Sequence, residues 1–277
     1  MGRRVTAVTV SRVTTAPPRD SSSPGPRPPR VAVIGRGVLG DAVRAALVRR
    51  GAAAVLLSRS DGVDVTAPFS LAPYGAFDAV VEATNVSTQS AHASRSFFVA
   101  STRNVARAAE EAGVPLHVLV SIVGVAGPAA SSGGYYAGKA AQERAFASQQ
   151  RHGTATALLR TTLWYEFARQ NLDRMSVGPV GLVPRMTVRP CAVDAVAQVV
   201  ADRCLGQRTF AELDVCGPAV VTLARMTRAL RRRPAVLVPV PVPGATGRAM
   251  RDGSLLPPDG TEVVGPSFEE WLAAASR

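Results

Sequence analysis

Lysine is almost absent from this 277-residue chain: of its 32 basic residues only Lys139 is lysine and the other 31 are arginine, a bias that fits GC-rich coding. Cysteine is equally sparse. Cys191, Cys204 and Cys216 are odd in number, show no CxxC spacing and have no histidine nearby, which excludes a disulfide framework and a zinc site and points to a reducing, cytoplasmic compartment. The three histidines, His92, His117 and His152, lie far apart and form no HExxH or paired-ligand pattern, so no metal is expected. No stretch approaches the ~18 to 20 uninterrupted apolar residues of a spanning helix, so no membrane role is expected. Acidic residues number 20, leaving a formal charge of +12. Six arginines and one acid fall in residues 1–30, so five of those twelve charges sit in a tail. The remainder is too thinly spread to predict a nucleic-acid partner.

What is present is a folding chain. Hydrophobic residues make up 47% and charged residues 19%, which excludes a disordered polymer, and the length suits one large α/β domain. Residues 1–30 end in Ser21-Ser22-Ser23-Pro24-Gly25-Pro26-Arg27-Pro28-Pro29, which sustains neither helix nor central strand and reads as a disordered arm. From Val31 to about Asn171, strand-like and helix-like blocks alternate: strands at 31–34, 53–57, 77–84, 116–123 and 156–160, and helices after Leu39, through Val105 and from Gly134 to Ser148. This pattern predicts a doubly wound parallel Rossmann sheet over residues 31–171. In residues 172–277, prolines break the pattern into short pieces with helices at 193–203, 223–232 and 268–275. They are expected to complete the fold and to form a small substrate-binding cap.

Two constellations carry chemistry. Gly35-Arg36-Gly37-Val38-Leu39-Gly40 is a GxGxxG motif between a strand and a helix, where the glycines admit a pyrophosphate to the helix N-terminus. At the end of the second strand, where an acid would accept the ribose hydroxyls of NAD, stands Ser58-Arg59-Ser60. A guanidinium pairs with a 2′-phosphate, so Arg59, helped by Arg36, predicts NADP(H), with NAD the alternative. The second constellation is Tyr135 with Lys139, four residues apart on one helix face, where the cation is expected to lower the phenol pKa towards general acid or base use. Ser121, near the end of the preceding strand, is placed to hydrogen-bond the same substrate oxygen. A surface Tyr-Lys pair and a plain strand-end serine are the alternatives.

These residues resemble the short-chain dehydrogenase/reductase superfamily, and more closely its atypical NmrA-like and epimerase-like branch. The likeness rests on the glycine motif, on Val118-Leu119-Val120-Ser121-Ile122-Val123-Gly124, on Tyr135-Tyr136-x-x-Lys139 and on Leu159-Arg160-x-x-x-Trp164-Tyr165-Glu166-Phe167. It implies that Tyr135 transfers a proton, that Lys139 also holds the nicotinamide ribose and that Ser121 positions the substrate carbonyl. It further implies that Asp64-Val65 meets the adenine and that Ala83-Thr84-Asn85 forms the turn beneath the cofactor. The branch often carries GxxGxxG, whose first glycine is Ile34 here. The expected activity is NADP(H)-dependent oxidoreduction of a small molecule by a monomer or homo-oligomer. A non-catalytic NADP(H)-binding sensor of the NmrA-like type, and an epimerase or dehydratase using bound cofactor transiently, are the alternatives.

Overall fold

The structure, a computed structural model, describes residues 27–88, 90–127, 134–149, 153–230 and 236–275. Residues 1–26, and with them most of the expected arm, lie outside the described residues. Arg27 donates to Asp78 through two hydrogen bonds of 2.7 and 2.8 Å. Arg30 then opens the first strand.

The apolar run from Val31 is what a strand covered on both faces requires. It forms β1 (Arg30–Ile34), followed by α1 (Val38–Arg49), β2 (Ala53–Leu57), β3 (Ala79–Glu82), α2 (Ala91–Glu111), β4 (Leu116–Ile122), α3 (Gly134–Ala147) and β5 (Ala155–Thr161). Then come α4 (Glu166–Met175), β6 (Ser176–Val177), β7 (Val180–Pro184), β8 (Thr187–Val188), α5 (Val193–Cys204) and β9 (Glu212–Cys216). The chain continues through β10 (Val221–Thr222), α6 (Leu223–Leu230), β11 (Val236–Val240), α7 (Gly244–Asp252), β12 (Glu262–Val263) and α8 (Phe268–Ala275).

Seven strands form one parallel sheet in the order β12-β9-β5-β4-β3-β1-β2. Strand alternation sends Val31 and Val33 to one face, where they pack with α1 and α5 residues such as Val43, Leu47, Val196 and Val200. Ala32 and Ile34 face the other way, against Val105, Ala108 and Ala109 of α2, while Leu119 meets Phe146 of α3. The sheet is therefore doubly wound, as its alternating blocks predict. Between β2 and β3 only short 3₁₀ turns occur, at Arg59–Asp61 and Ala72–Tyr74. The chain thus crosses directly from one side of β1 to the other. That reversal makes the carboxyl ends of β1 and β3 the switch point of the sheet, where ligands of such folds sit.

The C-terminal third divides its work. Strands β9 and β12 extend the main sheet. The remaining pieces build a lobe with a three-stranded sheet, β11-β7-β6, and a two-stranded one, β10-β8. Its core surrounds Tyr165, Leu223, Met226 and Phe268. Helix α7 and Leu255 reach back to pack on Tyr136 of α3, so this lobe overhangs the N-terminal end of α3. No helix among the described residues is long and apolar enough to cross a membrane.

Candidate active site

At the switch point Ile34 leads into Gly35, whose N–H donates to Leu57 at 2.9 Å and whose φ is +114°, a conformation side chains rarely adopt. A Cβ on Gly35 would stand 2.7 Å from the Ala83 carbonyl oxygen, and one on Gly40 would stand 1.9 Å from that of Gly35. Both glycines are therefore required by close backbone approach. Gly37 differs. It precedes α1, offers no side chain to the orphan N–H groups of the first turn, and has no heavy atom within 4 Å of where a Cβ would lie. This open space over a helix N-terminus fits a phosphate. Val38 and Arg36 are exposed beside it, whereas Leu39 and Gly40 are buried beneath.

At the end of β2 the exposed Arg36 guanidinium lies 3.3 Å from the Asp61 carboxylate. Ser58 donates to the same carboxylate at 2.7 Å and Ser60 at 3.2 Å. The Ser58 bond leads in holding the Asp61 carboxyl below its ordinary value. An acid thus stands two residues beyond Arg59, and the sequence reading passed over it. Arg59 is exposed and makes no ion pair among the described residues, though its charge helps to lower Asp64. The Asp64 carboxylate is occupied mainly by Thr66, whose hydroxyl and N–H donate at 2.7 and 2.9 Å. Val65 accepts from Asn104 through its carbonyl at 3.0 Å.

Ala83 lies under Gly35, while the Thr84 hydroxyl turns inwards to Ser101 at 2.9 Å and Glu82 at 3.2 Å. Asn85 follows at an exposed position. Period-two alternation puts Glu82, His117 and Ser121 on the sheet face covered by α2 and α3. There Ser121 is buried, and its hydroxyl oxygen has no hydrogen-bond partner among the described residues. Lys139 is buried too. Its ammonium donates to the carbonyl of Val120, the residue before Ser121, at 3.0 Å and to Gln142 Oε1 at 2.5 Å. Helix α3 is thereby tied to the carboxyl end of β4. Tyr135, half-buried, sets its ring 5.7 Å from Phe98, over which the Lys139 nitrogen lies at 4.9 Å. The pair therefore shares one aromatic neighbour.

The expected lowering of the Tyr135 phenol is not found. Burial, and after it the charge of Tyr136, push the Tyr135 phenol up, and burial pushes Tyr136 up to about 12. The Lys139 ammonium donates to Val120 and Gln142 and not to the phenol. Burial also pushes Lys139 itself down to about 8, against the opposing pull of Glu82 and Glu143. Sequence reasoning missed the buried Glu82. The signal was there: a single acid at the end of the apolar run Ala79-Val80-Val81.

No protein-family model matches the chain, and no curated protein sequence does. Solved structures do. A short-chain dehydrogenase/reductase superfamily protein from Agrobacterium tumefaciens with bound NAD shares 17% identity over 89% of this chain and 96% of its own, at a TM-score of 0.63. A dTDP-4-dehydrorhamnose reductase from Clostridium acetobutylicum gives 13%, 90% and 100%, at 0.65. A UDP-glucose 4-epimerase from Thermus thermophilus in complex with NAD gives 16%, 89% and 93%, at 0.58. With its glycine turn at the switch point of a seven-stranded parallel sheet, the chain has the fold of the short-chain dehydrogenase/reductase and sugar-nucleotide epimerase structures.

Proposed function

We propose that this protein is an NAD(P)-dependent oxidoreductase acting on a carbonyl or hydroxyl carbon of a small molecule. The observation that carries the reading is the bond from Lys139 to the Val120 carbonyl, which brings α3 to the strand end where the Ser121 hydroxyl lies buried without a partner among the described residues. Gly37 and the first turn of α1 would hold the pyrophosphate of a nicotinamide dinucleotide, which when bound would supply the hydride chemistry. Ser121 donates to the substrate oxygen. Tyr135, held protonated by its surroundings, gives its proton to that oxygen in the reducing direction. Lys139 has three N–H donors and uses two within the protein; the third serves a ribose hydroxyl.

For the nucleotide, Arg59 supports NADP(H), while Asp61, beside Arg36, supports NAD by offering an acceptor for ribose hydroxyls. Titration of both reduced nucleotides into the wild type, Arg59→Ala and Asp61→Asn decides between them. NADP(H) use requires Arg59→Ala to weaken NADPH more than NADH; NAD use requires Asp61→Asn to weaken NADH. For the activity, NADPH and NADH absorbance is followed against a panel of carbonyl compounds. Tyr135→Phe is expected to lower turnover roughly 10²- to 10⁴-fold with binding retained, and Tyr136→Phe much less. Normal turnover by Tyr135→Phe would sink the mechanism. The raised phenol and the inward lysine favour a second reading, a nucleotide-binding sensor, which predicts binding without turnover. Sugar-nucleotide conversion without net cofactor change would mark an epimerase.

A further inference from the structure

A closed polar network lies behind the proposed catalytic lysine. Glu82, fully buried at the end of β3, accepts from Ser101 at 2.7 Å, Thr102 at 3.0 Å, Thr84 at 3.2 Å and Gln142 at 2.9 Å. Gln142, also fully buried, uses its amide nitrogen for Glu82 and its amide oxygen for the Lys139 ammonium. A glutamine amide fixed at both ends has one orientation only: its N–H₂ must face the carboxylate and its oxygen the ammonium. The carboxylate and the ammonium are thus paired through one amide inside the protein, where uncompensated charges are costly.

We infer that Glu82 is a positioning residue for the proposed reaction: acting through Gln142, it holds the Lys139 ammonium in place against β4 and keeps it charged. This rests on the function proposed above for Lys139. Few other charges reach that ammonium. Glu143 acts from its own helix. From β4, His117 stands with Nε2 3.4 Å from the Glu82 carboxylate, and beyond it Glu110 of α2 lines a small cavity. Otherwise α2 presents the Phe98 ring to the ammonium, and the Ser101 and Thr102 hydroxyls to Glu82. Although burial opposes its charge, the His117 contact and the two hydroxyls hold the Glu82 carboxyl below its ordinary value. The bonds donated by Ser101, Thr102, Thr84 and Gln142 all favour its anionic form. Removing that anion makes the ammonium harder to keep.

Lys139 is the only lysine in the chain, so protein labelled with ¹³C at lysine Cε gives one side-chain resonance, and its titration is read without assignment. In the wild type the midpoint is expected near 8. Glu82→Gln keeps the shape and removes the charge, and should lower that midpoint by at least one pH unit, with the alkaline limb of turnover moving alongside it. Glu82→Asp, which restores the charge, should recover part of the shift. Gln142→Leu, which leaves Glu82 in place but cuts the link, should also lower the midpoint, and it decides the matter if Glu82→Gln fails to fold. An unmoved lysine midpoint in the folded variants overturns the inference. A midpoint that moves in a protein without any turnover supports Glu82's hold on the lysine and counts against the proposed activity instead.

Discussion

Glycines 37 and 40 sit three residues apart in one motif yet answer to different demands. At Gly40 a methyl group would fall 1.9 Å from a backbone oxygen, which cannot swing aside as a side chain would. Gly40→Ala should therefore destabilise the fold by about 2 to 3 kcal/mol, the usual scale of overpacking, read as a lower urea midpoint. At Gly37 φ is 163°, extended backbone open to any residue, and nothing stands within 4 Å. Gly37→Ala should leave stability within about 0.5 kcal/mol while weakening nucleotide binding in a fluorescence titration. Equal effects on stability at both positions would remove the case for an open phosphate seat. The motif was legible because its meaning is local, a turn between a strand and a helix. Asp61 was not: only the 3₁₀ turn after Ser58 brings its carboxylate back to Arg36, and the preceding Ser-Arg-Ser drew the eye first.

Among elements, the contact of α2 with α3 sets the site. Gly138 lets the two helices meet so closely that an added Cβ would lie 2.0 Å from the Ser94 hydroxyl and 2.8 Å from the Phe98 ring. Gly138→Ala should force α3 outwards, costing about 1 to 3 kcal/mol in stability. Because Tyr135 and Lys139 both rest on Phe98, it should cost turnover more than nucleotide binding, measured as kcat against Kd. Retained turnover would show that the Phe98 contact does not set the catalytic geometry. The strands and helices of the first 160 residues were legible because their apolar periods differ, two against 3.6, and glycine or proline marks their ends. Beyond them legibility fell. β12 has two residues, and β9 carries two acids, Glu212 and Asp214, facing Arg160. Each becomes a strand only through a partner distant in sequence. Helix α7 begins at a glycine and carries another at Gly247, against the Val242 carbonyl, so propensity does not announce it.

For the whole molecule, the buried lysine sets a dependence of stability on pH. Lys139 titrates near 8 in the fold against an ordinary 10.5. Between those values the unfolded chain binds the lysine proton that the folded chain has released, so the contribution of Lys139 to stability rises with pH. The gain is at most about 1.4 kcal/mol per pH unit, and about 3 kcal/mol in all. The opposite trend sets in between about pH 8 and 9, because burial pushes the thiols of Cys191 and Cys204 up to about 11 and about 12, so they stay protonated in the fold while unfolded ones ionise, and above about pH 10 the phenols of Tyr135, Tyr136 and Tyr165 add to it. Urea midpoints should fall from about pH 9 upward, and Lys139→Met should make that fall steeper between about pH 8 and 10 by removing the opposing contribution. An unchanged profile in Lys139→Met would mean that the ammonium is not buried.

The order of the sheet bears on how the chain comes to be folded at all. Strands β1, β3, β4, β5, β9 and β12 join side by side in the sequence in which they are synthesised, with β2 alone on the opposite flank. A chain emerging from the ribosome can lay each new strand on the last, so assembly runs in one direction and never waits for a later strand to slot between two earlier ones. Throughout that growth one edge stays raw, offering unpaired backbone groups to any neighbouring chain. The two residues of β12 close it. So short a flanking strand leaves almost no ladder on which a stranger could build, which protects that side of the sheet from edge-to-edge aggregation.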